Sequence, residues 1–470
     1  MAPRHNGWHL FLIPSSFPRQ NLIWSCRYGA VLESAIFAGQ VAAVPVRPYP
    51  PEIAADPDPN GGVINPDHPE KNLSGLWRFP FPFLGWRYAP MSPNSTARPS
   101  PRLRVVVWGA FDRSKPRVRL LLEALDQLHV DVTMCHLPVW ESIRDKSLIG
   151  RGTLLRVFFQ YCLGYPRLLW RYLRSPPHDW VLIPYPGLVD VLLMFPFTRL
   201  RRARLAWDIF ISMYDTLVRD RKKWRAGEIR ARGLYALERV ALRVADCPFA
   251  DTQAHARYLE GLFDLEQGEI KRVWVGVEEH VFPTLGSRSP GEICQVLFYG
   301  QYIPLHGIDI IVKAAAILEQ RQRNIQWTLF GTGQERPRID ALIVELGVQS
   351  IKSIDWVPYP QLSDTMAAAD ICLGVFGISE KAQNVIPNKV FQILASGRPL
   401  ITSATPGVTE LLEESQSIRL VPPGDPLALA QAVESLEDQL RCHGPEQATT
   451  PLVIGVSQIA TQLSEILQPK

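Results

Sequence analysis

The feature that most constrains the fold is a regular alternation of short β-rich segments and amphipathic helical segments from Leu103 onward. The segment LRVVVW at 103–108 predicts a strand, and residues 116–128 predict a helix because their apolar side chains recur at helical spacing. Repeated strand–helix–strand units build parallel sheets that are covered by helices on both faces. The sequence therefore predicts an α/β protein with doubly wound parallel sheets.

The alternation stops once, at residues 283–291, and then begins again. This segment, PTLGSRSPG, is rich in Pro, Gly and Ser and predicts a linker. We therefore expect a Rossmann-like N-terminal domain at 101–282 and a Rossmann-like C-terminal domain at 292–470, whose last helix packs back across the linker. Because ligands of such sheets bind beyond the carboxyl ends of the strands, a cleft between the two facing domains is the expected active site.

The predicted elements form two sets. In the first domain we predict strands at 103–108, 131–136, 179–185, 205–213, 247–251 and 273–277, and helices at 116–128, 151–174, 228–245 and 252–263. In the second domain we predict strands at 294–299, 326–330, 351–356, 371–376, 399–402 and 418–421, and helices at 307–320, 336–346, 360–369, 387–396, 407–414, 426–440 and 454–467.

Residues 1–100 differ from the rest of the chain. They hold 16 of its 41 prolines and a single lysine, Lys71. The prolines and turn residues of 45–70 preclude a regular core element. We therefore interpret 1–100 as a Pro-rich leader outside the folded domains. It is either disordered or the product of a misassigned start, in which case translation begins at Met91.

Composition and cysteine content exclude several classes of protein. With 20% charged and 46% hydrophobic residues, the 470-residue chain is not collagen-like, coiled-coil or wholly disordered. Its seven cysteines are scattered, without a C-x-x-C pair, which argues against a disulfide framework or zinc knuckle. No apolar run reaches 18 residues and prolines interrupt the N-terminal apolar stretch, so we predict neither a transmembrane helix nor a signal peptide. The expected location is the cytoplasm.

The formal charge of +4 conceals an asymmetry along the chain. When Lys and Arg are counted as +1 and Asp and Glu as −1, the net charge is +2 for residues 1–100, +8 for 101–280 and −6 for 281–470. Five arginines alternate with Phe, Trp, Tyr and Leu between Arg151 and Arg174. This composition suits peripheral docking to anionic lipid headgroups at the inner face of a membrane. A merely solvated basic face is the alternative, and no motif supports nucleic-acid binding.

The most specific segments lie in the second domain. They are FYGQYIPLHGIDIIVKAA (298–315), LFGTGQE (329–335), IDWVPYPQLSDTMAAADICLGVFG (354–377), IPNKVFQILASGRPLI (386–401) and LVPPGDP (420–426). In order and spacing they resemble the nucleotide-sugar-binding half of family 4 glycosyltransferases, which have the two-domain GT-B fold. WDIFISMYDTLVRDR (207–221) and ADTQAHARYLEGLF (250–263) resemble the first half of a bacterial branch of that family. The resemblance runs from about residue 103 to 440.

This resemblance implies a hexosyltransferase-like enzyme with a role in polysaccharide biosynthesis. It would bind a nucleotide diphosphate sugar in the second domain and a sugar or lipid-linked acceptor against the first, and would retain the donor's anomeric configuration. No cofactor or metal is implied, because the only D-x-D, Asp56-Pro57-Asp58, lies in the leader. One alternative is a non-catalytic binding or scaffold protein on the same fold. A nicotinamide-dependent enzyme would need a G-x-G-x-x-G fingerprint that the chain lacks.

The family's usual phosphate cations are missing at two positions. Many members carry an arginine directly after the first glycine of this domain and a lysine before the second. Here Gln301 follows Gly300, and His306 precedes Gly307. The two glycines would let the backbone approach a pyrophosphate, or serve only as tight turns. The positive charge must then come from another element.

We predict that it comes from the start of the 387–396 helix. Pro387 suits the first helical position, and Ile386 before it has no capping oxygen. The first amides of this helix, including those of Asn388 and Lys389, are then available to an anion, and the Lys389 ammonium would stabilise the charge of the leaving diphosphate. The alternative is an ordinary helix start with a solvated lysine.

Amides replace the family's Glu-x7-Glu pair, and the I-P-N-K-V-F-Q sequence occupies that region. Alignment places Asn384 at the first glutamate and Gln392 at the second. In the family, the second glutamate usually accepts hydrogen bonds from the ribose hydroxyls. Since an amide can accept one hydrogen bond and donate one, the resemblance implies that Gln392 still holds the ribose. Asn384 is either a ligand contact or a polar rim residue.

Other candidates follow strands or precede helices. Gly331 and Gly333 form a turn that would let the backbone pass close to the nucleotide. Val357 would touch the base or simply end a strand. Glu410 would reach a sugar hydroxyl or favour a helix dipole.

Asp208 closes a predicted strand of the first domain. It would orient the acceptor or accept its proton. The competing interpretation is a buried salt bridge.

Overall fold

The computed structural model of the chain describes residues 102–140, 151–220, 222–286, 288–443 and 451–468. The Pro-rich leader, the alternative start at Met91 and the D-x-D sequence lie outside the described residues. The predictions made for them stay predictions.

The first domain contains a parallel sheet of six strands in the order β2-β1-β3-β4-β5-β6. Its strands are β1 (Arg104–Gly109), β2 (Asp131–His136), β3 (Trp180–Ile183), β4 (Arg204–Asp208), β5 (Cys247–Ala250) and β6 (Lys271–Arg272). Its helices are α1 (Pro116–Gln127), α2 (Arg151–Leu173), α3 (Leu188–Leu200), α4 (Ile229–Val244) and α5 (Gln253–Phe263).

The second domain repeats the design with the strand order β12-β11-β10-β7-β8-β9. Its strands are β7 (Cys294–Tyr299), β8 (Ile325–Phe330), β9 (Ile351–Ile354), β10 (Ile371–Leu373), β11 (Leu400–Ser403) and β12 (Ile418–Val421). Its helices are α6 (Ile308–Gln320), α7 (Arg336–Leu346), α8 (Leu362–Ala367), α9 (Glu380–Asn384), α10 (Asn388–Ser396) and α11 (Pro426–His443), and α12 (Val456–Ile466) follows. Two doubly wound parallel sheets confirm the predicted fold class.

The central strands are apolar because helices cover both faces of each sheet. Trp108 of β1, Trp207 of β4 and Trp327 of β8 are fully buried. Parallel registration brings the ends of neighbouring strands together, so Gly109 lies beside His136 and Tyr299 beside Phe330. The loops that follow these strands therefore share one edge of each sheet.

The structure differs from several predicted elements. Helix α3 was not predicted, because its side chains are apolar on all sides and Pro196 lies inside it. The strand expected at 205–213 ends at Asp208, and a π-helical turn follows at Asp215–Asp220. The helix expected at 407–414 is a short 3-10 turn, Val408–Glu410. The last strand of the first sheet is Lys271–Arg272, two residues before the apolar stretch expected to form it.

Helix α12 packs on the first domain. Ile459 and Leu463 lie in the same buried cluster as Val118 and Leu121 of α1. The side chain of Gln462 accepts a hydrogen bond of 2.9 Å from the backbone amide of Trp274. The chain thus crosses back to the first domain after completing the second sheet. Among the helices that the structure describes, none has the length and apolar character needed to cross a membrane.

Candidate functional site

The candidate site is built on the loop that follows β7, at the carboxyl edge of the second sheet. The amide of Gly300 donates to the carbonyl of Phe330 at 2.9 Å, which ties this loop to the end of β8. Gly307 has φ +61°, and a Cβ there would lie 2.5 Å from the carbonyl carbon of Phe376. The loop is therefore packed against the ends of both neighbouring strands, and glycine is needed at that contact.

The side chain of Lys389 enters this site from α10. The residue is 5% exposed, and its Nζ has no hydrogen-bond partner among the described residues. The ammonium lies 3.8 Å from the ring centroid of Phe298, and 2.7 Å from where a Cβ on Gly300 would be. Burial lowers the pKa of Lys389 well below its ordinary value. A buried cation whose neighbour is an aromatic ring is stabilised strongly when an anion binds beside it.

The amino end of α10 adds backbone donors beside this lysine. The helix begins at Asn388, one residue later than predicted, and Pro387 is its cap residue, with φ −64° and ψ 149°. Pro387 makes no side-chain cap hydrogen bond. The first amides of α10 therefore have no capping side chain, and they add the positive end of the helix dipole to the Lys389 charge. This arrangement fits a phosphate group.

His306 is a neutral neighbour of Lys389 and does not supply charge. It is 8% exposed, and its Nδ1 is hydrogen-bonded to the carbonyl of Gln301. Because a carbonyl oxygen only accepts, Nδ1 carries the proton and Nε2 is an acceptor. Burial, and then the charge of Lys389, lower the pKa of His306 well below its ordinary value. The positive charge near Gly300 is therefore that of Lys389.

Gln392 lies in a chain of hydrogen bonds that links the two domains. Its Oε1 accepts from the hydroxyl of Tyr299 at 2.9 Å, and its Nε2 donates to the hydroxyl of Tyr359 at 3.2 Å. Tyr359 donates to Glu278 at 2.6 Å, and Glu278 pairs with Arg119 of α1 at 2.6 Å. The amide is thus engaged at both ends, and its predicted contact with a ribose stays a prediction.

Asn384 and Glu410 contact the first domain. The carbonyl of Asn384 accepts a hydrogen bond from the Thr252 hydroxyl. The Glu410 carboxylate accepts from the backbone amides of Gln253, at 2.8 Å, and of Ala254. Glu410 therefore caps the amino end of α5 in the other domain. The helix that Glu410 was expected to begin is a short 3-10 turn, and the carboxylate interacts with the amino end of α5 instead. Its predicted contact with a sugar hydroxyl stays a prediction.

The remaining second-domain candidates line the same edge of the sheet. A Cβ on Gly333, which has φ +155°, would lie 2.7 Å from the carbonyl oxygen of Tyr302. The glycine turn thus lets the loop after β8 pack on the loop after β7. Val357 follows β9 and is partly buried against the core of the second domain. The nucleotide contacts predicted for these residues, for Gly331 and for the exposed Gln301 stay predictions.

Asp208 forms a buried ion pair. This does not support the predicted role of orienting the acceptor substrate or taking up its proton. It is 0% exposed and accepts from Arg117 at 2.7 Å and 2.9 Å. Arg117 is itself 1% exposed and also donates to the carbonyl of Val273 at 3.1 Å. Arg117, on α1, covers the end of β4. The carboxylate of Asp208 is therefore not exposed to the cleft. The competing interpretation, a buried salt bridge, is confirmed.

Residues 294–439 match the family described as "Glycosyl transferases group 1". The match covers the second sheet and its helices, which is less than half of the chain. It begins with β7 and includes α10, so Gly300, His306 and Lys389 all lie inside it. Within the described part of the chain, no group of three or more His, Cys, Asp or Glu residues is placed to hold a metal ion.

Sequence similarity to curated glycosyltransferases covers part of the chain. The chain is 27% identical over 143 residues to alpha-D-kanosaminyltransferase of Streptomyces kanamyceticus. The aligned segment covers 30% of this chain and 36% of that protein. The alignments with curated relatives cover between 36% and 57% of the relatives' own length.

Solved structures share both domains. Sucrose-phosphate synthase (tll1590) from Thermosynechococcus elongatus is 18% identical with a TM-score of 0.55, covering 77% of this chain and 98% of that chain. Anabaena Alr3699/HepE in complex with UDP is 15% identical with a TM-score of 0.50, covering 78% and 99%. These structures confirm the GT-B arrangement of two Rossmann-like domains.

Sequence reasoning missed the residues that join the two domains. Thr252, Glu278 and Tyr359 make hydrogen bonds between segments separated by 132 and 81 positions in the chain. No local pattern marks such pairs. Phe298 was likewise seen only as a strand residue, although its ring lies under the ammonium of Lys389.

Proposed function

We propose that the chain is a glycosyltransferase that moves a sugar from a nucleotide diphosphate sugar to a hydroxyl group of a sugar or lipid-linked acceptor. The observation that carries the proposal is the buried ammonium of Lys389, which has no described hydrogen-bond partner and lies at the uncapped end of α10. The group 1 domain around it supports the same reaction. Retention of the anomeric configuration is proposed from the family resemblance.

The geometry suits departure of a nucleoside diphosphate. When the glycosidic bond to the phosphate breaks, negative charge grows on the leaving oxygen. Lys389 and the first amides of α10 would neutralise this charge in a site from which most water is excluded, where electrostatic interactions are strong. His306 would contribute a neutral acceptor at Nε2 rather than a second cation. The acceptor would be held against the first domain.

Nucleotide binding tests the donor site directly. We expect UDP to raise the melting temperature more than GDP or ADP, since a structure with the same fold is a complex with UDP. A concentration about 100 times Kd should add about 2.7 kcal/mol to the free energy of unfolding. Differential scanning fluorimetry of the full chain measures the shift. Stabilisation by none of the three nucleotides would favour the alternative of a non-catalytic scaffold.

Slow hydrolysis of the donor tests the reaction itself. Purified protein is incubated with a panel of UDP-, GDP- and ADP-sugars, and release of the nucleoside diphosphate is measured. We expect release from one sugar nucleotide to exceed the others and to increase when a hydroxyl acceptor is added. Binding of a nucleotide without release from any donor, with or without an acceptor, would contradict the proposed activity.

The affinity for UDP should fall as pH rises above about 7.5, where the terminal phosphate of UDP is already fully ionised. Burial lowers the pKa of Lys389 in the free protein, and a bound diphosphate would raise it again. Binding therefore takes up a proton between the two pKa values, and Kd should increase up to about tenfold per pH unit there. Titration calorimetry across pH measures this slope. A Kd that does not change with pH anywhere on the alkaline side would contradict the assignment of Lys389 as the phosphate cation.

A further inference from the structure

Helix α2 carries an apolar stripe that faces away from the domain. Five of its large apolar side chains are 43% to 61% exposed: Leu155, Phe159, Leu163, Trp170 and Leu173. At about 100° per residue, these positions fall within a sector of about 80° on the helix surface. Most exposed apolar residues on a protein surface are scattered singly, whereas a continuous stripe indicates an interaction surface.

Arginines border this stripe on one side. Helical spacing places Arg156, Arg167, Arg171 and Arg174 in the adjoining sector. The segment 151–174 contains no Asp or Glu, and none of these four arginines makes an ion pair with a carboxylate of the described residues. The guanidinium of Arg174 lies 3.7 Å from the ring centroid of Trp170, so charge and apolar surface are continuous.

The opposite face of α2 is held firmly by the domain. Leu168 and Tyr172 are buried in the core of the first domain. Gly164 is packed so closely that a Cβ there would lie 2.6 Å from the side chain of Leu137. The guanidinium of Arg171 donates to the carbonyl of Met134 on the edge strand β2, at 3.2 Å. The helix is therefore fixed with its apolar stripe outward.

The other basic segments of the first domain are occupied differently. Arg199 pairs with Asp246 at 2.9 Å, and Arg219 pairs with Glu380 of the second domain at 2.9 Å. Arg201 donates to the carbonyl of Leu173 at 2.7 Å and so joins the end of α3 to the end of α2. Leu200, next to Arg201 in the chain, is 75% exposed. Exposed arginines occur elsewhere on this domain, but those of α2 border an exposed apolar stripe.

We propose that α2 docks the protein flat on an anionic membrane surface. An apolar face flanked by cations, without acidic residues, matches the boundary between anionic headgroups and acyl chains. The leucines and the tryptophan would enter this boundary, and the arginines would stay at the lipid phosphates. This inference does not depend on the proposed sugar transfer, because it rests on a different surface. It would place a lipid-linked acceptor beside the first domain.

Vesicle cosedimentation of the full chain tests the proposal. We expect binding to phosphatidylcholine vesicles that contain phosphatidylglycerol, much weaker binding to phosphatidylcholine alone, and loss of binding at high salt. Arg156→Gln with Arg167→Gln should weaken the partition about 25-fold, or about fivefold for each charge. Leu155→Gln with Leu163→Gln should weaken it at least about tenfold, since these side chains would leave the acyl boundary.

Matched substitutions on other surfaces serve as controls. Arg232→Gln with Arg257→Gln removes two exposed arginines elsewhere, and Ile229→Gln with Val344→Gln removes two apolar side chains that are 89% and 80% exposed. These variants should bind vesicles like the unaltered protein. Equal loss in the control and α2 variants would overturn the proposal. So would a dimer in analytical ultracentrifugation that only the α2 variants dissociate, without vesicle binding.

The circular dichroism spectrum and the UDP-induced melting shift of each variant show whether it is folded. A folded α2 variant that keeps its nucleotide shift and loses vesicle binding supports the proposal. Because vesicle binding is measured without nucleotide, its failure leaves the proposed glycosyl transfer intact. Failure of UDP binding, in turn, leaves the membrane surface to be judged on vesicles alone.

Discussion

Lys389→Met should weaken UDP binding about 10- to 100-fold, the loss expected for one charge-assisted contact to a phosphate. Methionine nearly matches lysine in length and has no charge. It can occupy the space beside Phe298, where the Lys389 ammonium now lies 3.8 Å from the ring centroid. The first amides of α10 would remain, so weak binding should persist. Titration calorimetry with UDP measures the change.

The same substitution should stabilise the unliganded protein. Lys389 is buried without a described hydrogen-bond partner, and removing such a group avoids a desolvation cost of about 1–3 kcal/mol. Its pKa is lower in the folded than in the unfolded chain. The unfolded state therefore binds more protons between those two values, and the free energy of unfolding contributed by Lys389 rises with pH in that range. Lys389→Met should lose this rise, as urea denaturation at several pH values would show.

A matched lysine separates this effect from a general change of charge. Lys352 of β9 is exposed, and Lys352→Met should alter neither UDP affinity nor its dependence on pH. Unchanged affinity in Lys389→Met would mean that the phosphate site lies elsewhere. Lower stability together with unchanged affinity would show that the ammonium serves the fold instead.

Asp208→Asn should lower the free energy of unfolding by about 3–5 kcal/mol, because it leaves a buried guanidinium without its counter-ion. Arg117 and Asp208 are both almost completely buried, and their side chains meet at 2.7 Å. Asparagine keeps the shape and one acceptor oxygen but not the charge. Urea or guanidinium denaturation measures the loss.

Removal of both partners should restore most of that stability. In Arg117→Met with Asp208→Leu neither charge of this pair remains buried, and such replacements are often neutral or better. Glu228→Gln is the control at the surface, since Glu228 and Arg230 form an ion pair with 33% and 54% exposed side chains, and it should cost much less stability than Asp208→Asn. If Asp208→Asn instead kept its stability and abolished sugar transfer, Asp208 would have to be assigned a catalytic role after all.

Much of the fold was predictable because its signals are local. The strands at Cys294–Tyr299 and Ile418–Val421 and the helix at Arg336–Leu346 have the predicted bounds. Their patterns of apolar residues repeat within a few positions, which is the range over which secondary structure forms. Helix α3 escaped prediction because its exposed face is also largely apolar, with Val189 and Leu200 in it, and so it lacks the periodic contrast that reveals a surface helix.

The candidate site likewise has features that local sequence predicts and features that depend on distant residues. The uncapped start of α10 is local, since Pro387 and its neighbours determine it, and the sequence indicated it correctly within one residue. The role of Asp208 depends on Arg117, 91 positions away. The role of Glu410 depends on an amide 157 positions away. Both residues looked available from the sequence, and both are occupied in the folded chain.

The sequence by itself determined the two doubly wound sheets and a helix end suited to an anion, because both follow from residues that are neighbours in the chain. Only the tertiary structure decided which charged groups would find partners. It paired Asp208 and Glu410 with distant groups and buried Lys389 without a described partner. Pairing depends on which segments meet after folding, and the cost of burying a charge depends on the surroundings that these segments create.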